Sequence, residues 1–133
     1  MTGGCHCGAV RYEITGSIDR FSLCHCDDCR RIGGSAFGAA LVLPAAHFRI
    51  LQGEDALIRY ESSPGKFRCF CGTCGTHIVA RMNFKPDTVI VRAGTVDGDP
   101  GILPGMHIWV DAKAAWYQIR DELPVHRQGY KPA

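Results

Sequence analysis

Apolar and polar residues alternate with a period of two along much of the chain, the pattern of strands that bury one face. Val10, Tyr12 and Ile14 interleave with Arg11 and Glu13, which predicts a half-buried strand near the start of the sequence. Phe21 and Leu23 predict a second, and the apolar run from Ala36 to Leu43, stopped by Pro44, predicts a buried third. Phe48 with Ile50, Leu57 to Tyr60, Phe67 to Phe70, Ile78 to Arg81 and Val89 to Ala93 continue the series. The breaks fall at Gly53-Glu54-Asp55, Ser63-Pro64-Gly65 and Lys85-Pro86-Asp87, where glycine and proline favour turns over ladders. A loop through Gly98-Asp99-Pro100-Gly101 and Leu103-Pro104-Gly105 precedes the apolar His107-Ile108-Trp109-Val110. Spacing this regular predicts antiparallel sheets, and Ala112 to Gln118 is the only later stretch with a helical composition.

Composition sharpens this picture. Sixteen glycines and seven prolines in 133 residues leave little room for long helices, so a mainly β fold is expected and a helical bundle is not. No repeat, linker or low-complexity tract divides the chain, and residues 1–133 are expected to form a single domain. Fifteen basic against thirteen acidic residues give a formal charge of +2, too weak a field to imply a nucleic-acid partner. No apolar run reaches the length of a membrane span, and Met1-Thr2-Gly3-Gly4 leads into the first cysteine motif with no signal-peptide core. A cytoplasmic location is therefore expected.

Eight cysteines change the reading from architecture to chemistry. They fall in three groups: Cys5-His6-Cys7, Cys24-His25-Cys26-Asp27-Asp28-Cys29, and Cys69-Phe70-Cys71-Gly72-Thr73-Cys74. A disulfide framework places partners far apart in sequence and needs an oxidising compartment, whereas tight groups suit a tetrahedral thiolate site that gathers two or three sulfurs in one turn. The Cys71-Gly72-Thr73-Cys74-Gly75 segment has the form of a zinc knuckle, with Gly75 free to take a positive φ where the chain turns away. A knuckle supplies two ligands, and Cys5 with Cys7 is the spare pair that completes four. Such a closed site contributes folding energy and is read as structural zinc.

Cys24, Cys26 and Cys29 supply three thiolates and leave a coordination position open. Three thiolates on Zn2+ carry a net charge of about −1, which makes a poor generator of hydroxide but a good holder of an incoming thiol as thiolate. Sulfur chemistry is the expected result. Asp27 and Asp28 suit the first turn of a short helix that includes Cys29. Arg30 and Arg31 either offset the cluster's charge or clamp a carboxylate of the ligand, or are two solvated surface arginines. Cys69 shares a strand face with Cys71; it is read as a buried free thiol, the other reading being a fourth ligand that closes the second site. His6 and His25, each between two cysteines, are expected to point away from the metal. His77 and His107 are read as packed polar groups, His47 and His126 carry no signal, and Trp109 and Trp116 are read as core or pocket-wall residues.

Taken together, Gly4-Cys5-His6-Cys7-Gly8-Ala9-Val10, Cys24-His25-Cys26-Asp27-Asp28-Cys29-Arg30, Phe70-Cys71-Gly72-Thr73-Cys74-Gly75-Thr76 and His107-Ile108-Trp109 resemble the glutathione-dependent formaldehyde-activating enzyme family, which also contains centromere protein V. The resemblance runs in order from Gly4 to about Pro124. It implies a β-tent fold of packed antiparallel sheets, a structural zinc on Cys5, Cys7, Cys71 and Cys74, and a catalytic zinc on Cys24, Cys26 and Cys29. The reaction it implies is condensation of glutathione with formaldehyde to S-hydroxymethylglutathione, catalogued in reverse as a carbon–sulfur lyase. The trio would either hold the glutathione sulfur on zinc or release a labile zinc to thiol ligands. The loops that recognise the ends of glutathione are expected to be short in so compact a chain. A non-catalytic zinc-stabilised binding or scaffold module is the alternative, and a dithiol redox protein using Cys26 and Cys29 a third reading. Exposed sheet edges make a homodimer a further expectation.

Overall fold

The computed structural model describes residues 1–132 and is mainly β, as the alternation predicts. Ten strands follow in chain order: β1 (Thr2–Gly4), β2 (Arg11–Ile14), β3 (Arg20–Cys24), β4 (Gly38–Pro44), β5 (Phe48–Gln52), β6 (Leu57–Ser63), β7 (Lys66–Cys71), β8 (His77–Met82), β9 (Thr88–Arg92) and β10 (Met106–Ile108). A single α-helix among the described residues, α1 (Asp27–Gly33), joins β3 to β4. No helix is long and apolar enough to cross a membrane.

The strands form two sheets. One has three strands in the order β1-β2-β5, and the other has seven in the order β10-β3-β4-β9-β8-β7-β6. All pairings are antiparallel except that of β10 with β3, which sets His107 opposite Leu23 and Ile108 opposite Cys24. That parallel contact is possible because the chain returns to β3 only after a long excursion through the rest of the sheet.

Strand periodicity gives the larger sheet two different faces. On one, Leu41, Leu43, Val89, Val91, Val79 and Cys69 pack with Val10 and with Tyr12, Ile14 and Phe48 of the smaller sheet into a common core. Tyr12 is fully buried there, its ring 5.2 Å from that of Phe48 and its hydroxyl 2.8 Å from Thr95 Oγ1. On the other face lie residues one step out of phase. Cys24 stands opposite Gly38, Ala40 opposite Arg92, and Arg68 opposite Ala80. One sheet thus carries the core on its first face and chemically active side chains on its second.

The late chain departs from its composition. Ala112 to Gln118 forms no α-helix; only a short 3-10 turn, Val110–Ala112, precedes it. The Lys113 ammonium donates to the carbonyl oxygens of Ala114 and Tyr117, so a side chain satisfies acceptors that helical N–H groups would otherwise reach. Trp116 is 74% exposed and belongs to neither core nor pocket wall, because no helix turns it inward.

Candidate functional site

The first cluster joins the two sheets. Cys5 follows β1 and Cys7 lies in the turn after it, while Cys71 ends β7 and Cys74 lies in the turn toward β8. The knuckle has the hydrogen bonds its sequence promises: Gly75 N–H donates to Cys71 C=O at 2.8 Å, Cys71 N–H to Thr76 C=O at 2.9 Å, and Gly75 has φ 80°. The N-terminal turn mirrors it, with Val10 N–H donating to Cys5 Sγ at 3.2 Å and Gly8 N–H to Cys5 C=O at 3.2 Å. His6 N–H, donating to Thr76 Oγ1 at 3.0 Å, ties one turn to the other, and the His6 side chain is exposed.

The sulfurs of Cys5, Cys7, Cys71 and Cys74 all lie within 4.8 Å of one another. Cys5 Sγ is 3.6 Å from Cys7 Sγ, and Cys7 Sγ is 3.8 Å from Cys71 Sγ. Tetrahedral Zn–S bonds of about 2.3 Å require sulfurs about 3.8 Å apart, so this donor set fits zinc. All eight cysteines are free thiols. Hydrogen bonding from the Thr76 hydroxyl, aided by backbone N–H groups, lowers the Cys74 thiol to about 5, a thiolate at neutral pH.

The second cluster is built at one end of β3. Cys24 ends the strand, Cys26 caps α1, and Cys29 lies in its first turn, its N–H donating to Cys26 Sγ at 3.3 Å. Asp27 and Asp28 occupy the first turn as expected, where carboxylates meet the positive end of the helix dipole. The sulfurs of Cys24, Cys26 and Cys29 lie within 4.8 Å of one another, again a donor set that suits zinc. Hydrogen bonds from Cys24 and Cys26 hold the Cys29 thiol far below its ordinary range, with Arg92 and Arg68 adding to the effect. Its neighbours' sulfurs, and then burial, push Cys24 up.

Cys69 joins neither cluster. Arg68, its neighbour in β7, projects toward the trio and donates from Nη1 to Cys29 Sγ at 3.6 Å, so alternation sends Cys69 to the opposite face and into the core. Burial pushes its thiol up. Arg30 and Arg31 turn back to Asp27 at 3.4 and 3.0 Å as helix-surface ion pairs.

His25, between Cys24 and Cys26, turns inward. Its Nε2 lies 2.8 Å from His107 Nδ1, and His107 Nε2 lies 2.9 Å from Asp121 Oδ2. The Asp121 carboxylate can only accept, which assigns a donating N–H to His107 Nε2; in the neutral ring Nδ1 then carries the lone pair and His25 Nε2 donates to it. His25 is fully buried, and burial together with His107 lowers it to about 4. With His25 N–H also donating to Ile108 C=O at 2.9 Å, this chain fixes the backbone that presents Cys24 and Cys26.

Two hollows flank the trio, with Arg68 in the wall of both. One, about 420 Å³, is bounded by Cys26, Asp27, Asp28, Lys66 and Trp109. Trp109 holds a left-handed backbone, φ 58°, a strained state for a bulky residue that its N–H bond to Gln128 C=O helps to fix. The other hollow, about 210 Å³, reaches Cys29, Phe37, Gly38, His77 and Arg92. Burial, with Arg92 and Arg68 close by, lowers His77 to about 3 and keeps its ring neutral. A larger hollow of about 460 Å³, beside Asp111, His126 and Arg127, touches neither cluster.

The family model described as "Glutathione-dependent formaldehyde-activating enzyme" matches residues 1–112. The chain belongs to that family. A Halomonas elongata protein whose name carries the same family description is 28% identical over 127 residues, covering 90% of this chain and 80% of its own. The crystal structure of a Rhodobacter sphaeroides protein superposes with a TM-score of 0.62 at 29% identity, covering 78% of this chain and 98% of that one.

Within this member of the glutathione-dependent formaldehyde-activating enzyme family, sequence reasoning missed Arg68, Arg92 and Lys66. The signal was present in Lys66-Phe67-Arg68-Cys69-Phe70-Cys71, where cations interrupt one face of a strand whose other face is apolar. The His25–His107–Asp121 chain left no such trace, because it is assembled across 82 and 14 positions of sequence.

Proposed function

We propose that residues 1–133 act as a single zinc-binding domain that condenses glutathione, or a related thiol, with formaldehyde to S-hydroxymethylglutathione, the reverse direction being that of a carbon–sulfur lyase. The observation that carries this reading is the gathering of Cys24, Cys26 and Cys29 between two open hollows, with no fourth sulfur in the cluster among the described residues. Family membership supports it. Cys5, Cys7, Cys71 and Cys74 are the ligands of a structural zinc in this reading, and the trio those of a catalytic, labile one. Zinc on the trio would supply charge stabilisation for a thiolate at neutral pH.

The chain's own residues do the rest. Arg68 stabilises negative charge at Cys29, α1 and the His25–His107–Asp121 chain hold the three sulfurs in place, and Trp109 gives the larger hollow an apolar wall. In the reaction the substrate sulfur bonds to the carbonyl carbon, the C=O π pair moves to oxygen, and the proton lost by the thiol ends on that oxygen. Nothing is oxidised or reduced. A reducing, cytoplasmic setting suits thiolates that must remain free.

The test is the rate of adduct formation above the spontaneous reaction, followed by exchange NMR, in the zinc-loaded protein and in Cys26→Ser. Acceleration by the parent protein and its loss in the folded variant are expected. Equal rates in both would overturn the assignment of the trio. The non-catalytic scaffold module would fit a second site closed by Cys69, and Cys69 faces the core instead, which favours the enzyme reading.

A further inference from the structure

The smaller of the two hollows has an unusual charge balance. Arg68 and Arg92 both line it, no acidic side chain does, and neither arginine forms an ion pair with a carboxylate among the described residues. Arg68 is 2% exposed, and its bonds go to Ser62 Oγ at 2.9 Å and to Cys29 Sγ. Arg92 is anchored less: its Nε is buried without a partner, as is His77 Nε2 on the same wall. Those two nitrogens are closed to a guest; the part of Arg92 that stands beside Gly38, in the wall of the hollow, is Nη1.

Gly38 makes the arrangement possible. A Cβ built there would stand 2.6 Å from Arg92 Nη1 and 3.4 Å from Cys29 Sγ, so the missing side chain lets the guanidinium approach the trio. Ile32, Phe37 and Ala39 supply apolar walls, which strengthen a charge–charge contact by excluding water. The hollow on the other side of Arg68 differs, since there Asp27 and Asp28 accompany Lys66. Arg68 is committed to Cys29 and Ser62, which leaves Arg92 as the arginine to meet a guest.

We infer that the hollow bounded by Arg68, Arg92, His77 and Gly38 is a carboxylate-binding subsite, which takes an acid group of the thiol substrate while its sulfur lies at the trio. This rests on the reading of the trio as the reaction centre, and it narrows the substrate to thiols that bear a carboxylate. Arg92 is the specificity residue. Its planar fork matches a carboxylate's two oxygens, which a neutral thiol such as 2-mercaptoethanol lacks.

The experiment compares Arg92→Met, Arg92→Lys and Gly38→Ala with the parent, each zinc-loaded. Calorimetric binding of S-methylglutathione, which has the carboxylates but no free thiol, is measured beside kinetics with glutathione and with 2-mercaptoethanol. Arg92→Met is expected to weaken S-methylglutathione binding, and to raise the KM for glutathione, by about 10- to 100-fold. Its rate with 2-mercaptoethanol reports whatever the trio itself loses with the Arg92 charge, and the loss with glutathione should exceed that by about tenfold or more. Arg92→Lys should recover part of the loss, and Gly38→Ala, whose Cβ crowds Arg92 Nη1 first and Cys29 less, should weaken S-methylglutathione binding. Unchanged S-methylglutathione binding in Arg92→Met, or equal losses with both thiols, would overturn the subsite. Selective binding in a parent protein that accelerates neither reaction would keep the subsite and overturn the proposed function instead.

Discussion

The two sulfur clusters use the same ligand chemistry for opposite relations to the fold. Cys5 and Cys7 meet Cys71 and Cys74 across more than sixty positions of sequence, and the contact ties the smaller sheet to the end of the larger. Cys24, Cys26 and Cys29 fall within six consecutive residues and close no loop. Holding a metal in the first cluster therefore offsets the entropy of bringing distant segments together, while holding one in the second orders only a strand end and a helix start. Surroundings differ in the same sense. Backbone N–H groups and Thr76 serve the first cluster, whereas Arg68, Arg92 and open space serve the second.

The largest expected effect breaks this comparison at its closed end. With the four sulfurs holding a structural zinc as proposed, Cys74→Ser should collapse the cooperative unfolding transition seen by circular dichroism, since metal binding at a closed site is folding energy. Cys26→Ser, in contrast, should keep that transition within a few degrees while one zinc per chain is lost. A similar collapse in both would show that the trio is also architectural. A smaller effect is expected for Cys69→Ala, about 1 kcal/mol in a denaturant titration from lost core packing, with zinc content unchanged. A fall of one zinc per chain in that variant would return Cys69 to the second site.

A pH-dependent effect concerns His77. Its folded pKa of about 3 lies below the ordinary 6.5, so acidification protonates the unfolded chain first. Its contribution to stability is full above about pH 6.5 and declines as the pH falls toward 3. His77→Gln should flatten the fall in the denaturation midpoint between pH 6.5 and 4. An unaltered slope would show that His77 is not held neutral beside Arg92 and Arg68.

Much of the strand content was legible because period-two patterning is local: Val10 to Ile14, Phe67 to Phe70 and Val89 to Ala93 each announce a buried face without reference to the rest of the chain. The knuckle was legible for a similar reason, since Gly75 and the spacing of Cys71 and Cys74 define one turn. Ala112 to Gln118 was not. Its helical composition is a weak preference, and the carbonyl contacts of Lys113 outweigh it. Trp109 was rightly read as a wall residue, but its left-handed backbone depends on its bond to Gln128, nineteen positions on.

By itself the sequence determined which sulfurs stand close together along the chain, where strands alternate, and the family to which such a motif order belongs. Which face of β7 meets the trio, and so whether Arg68 or Cys69 stands beside Cys29, was decided by tertiary structure alone. A strand's alternation states that two faces exist; only packing against the smaller sheet fixes which one is core and which one is left to chemistry.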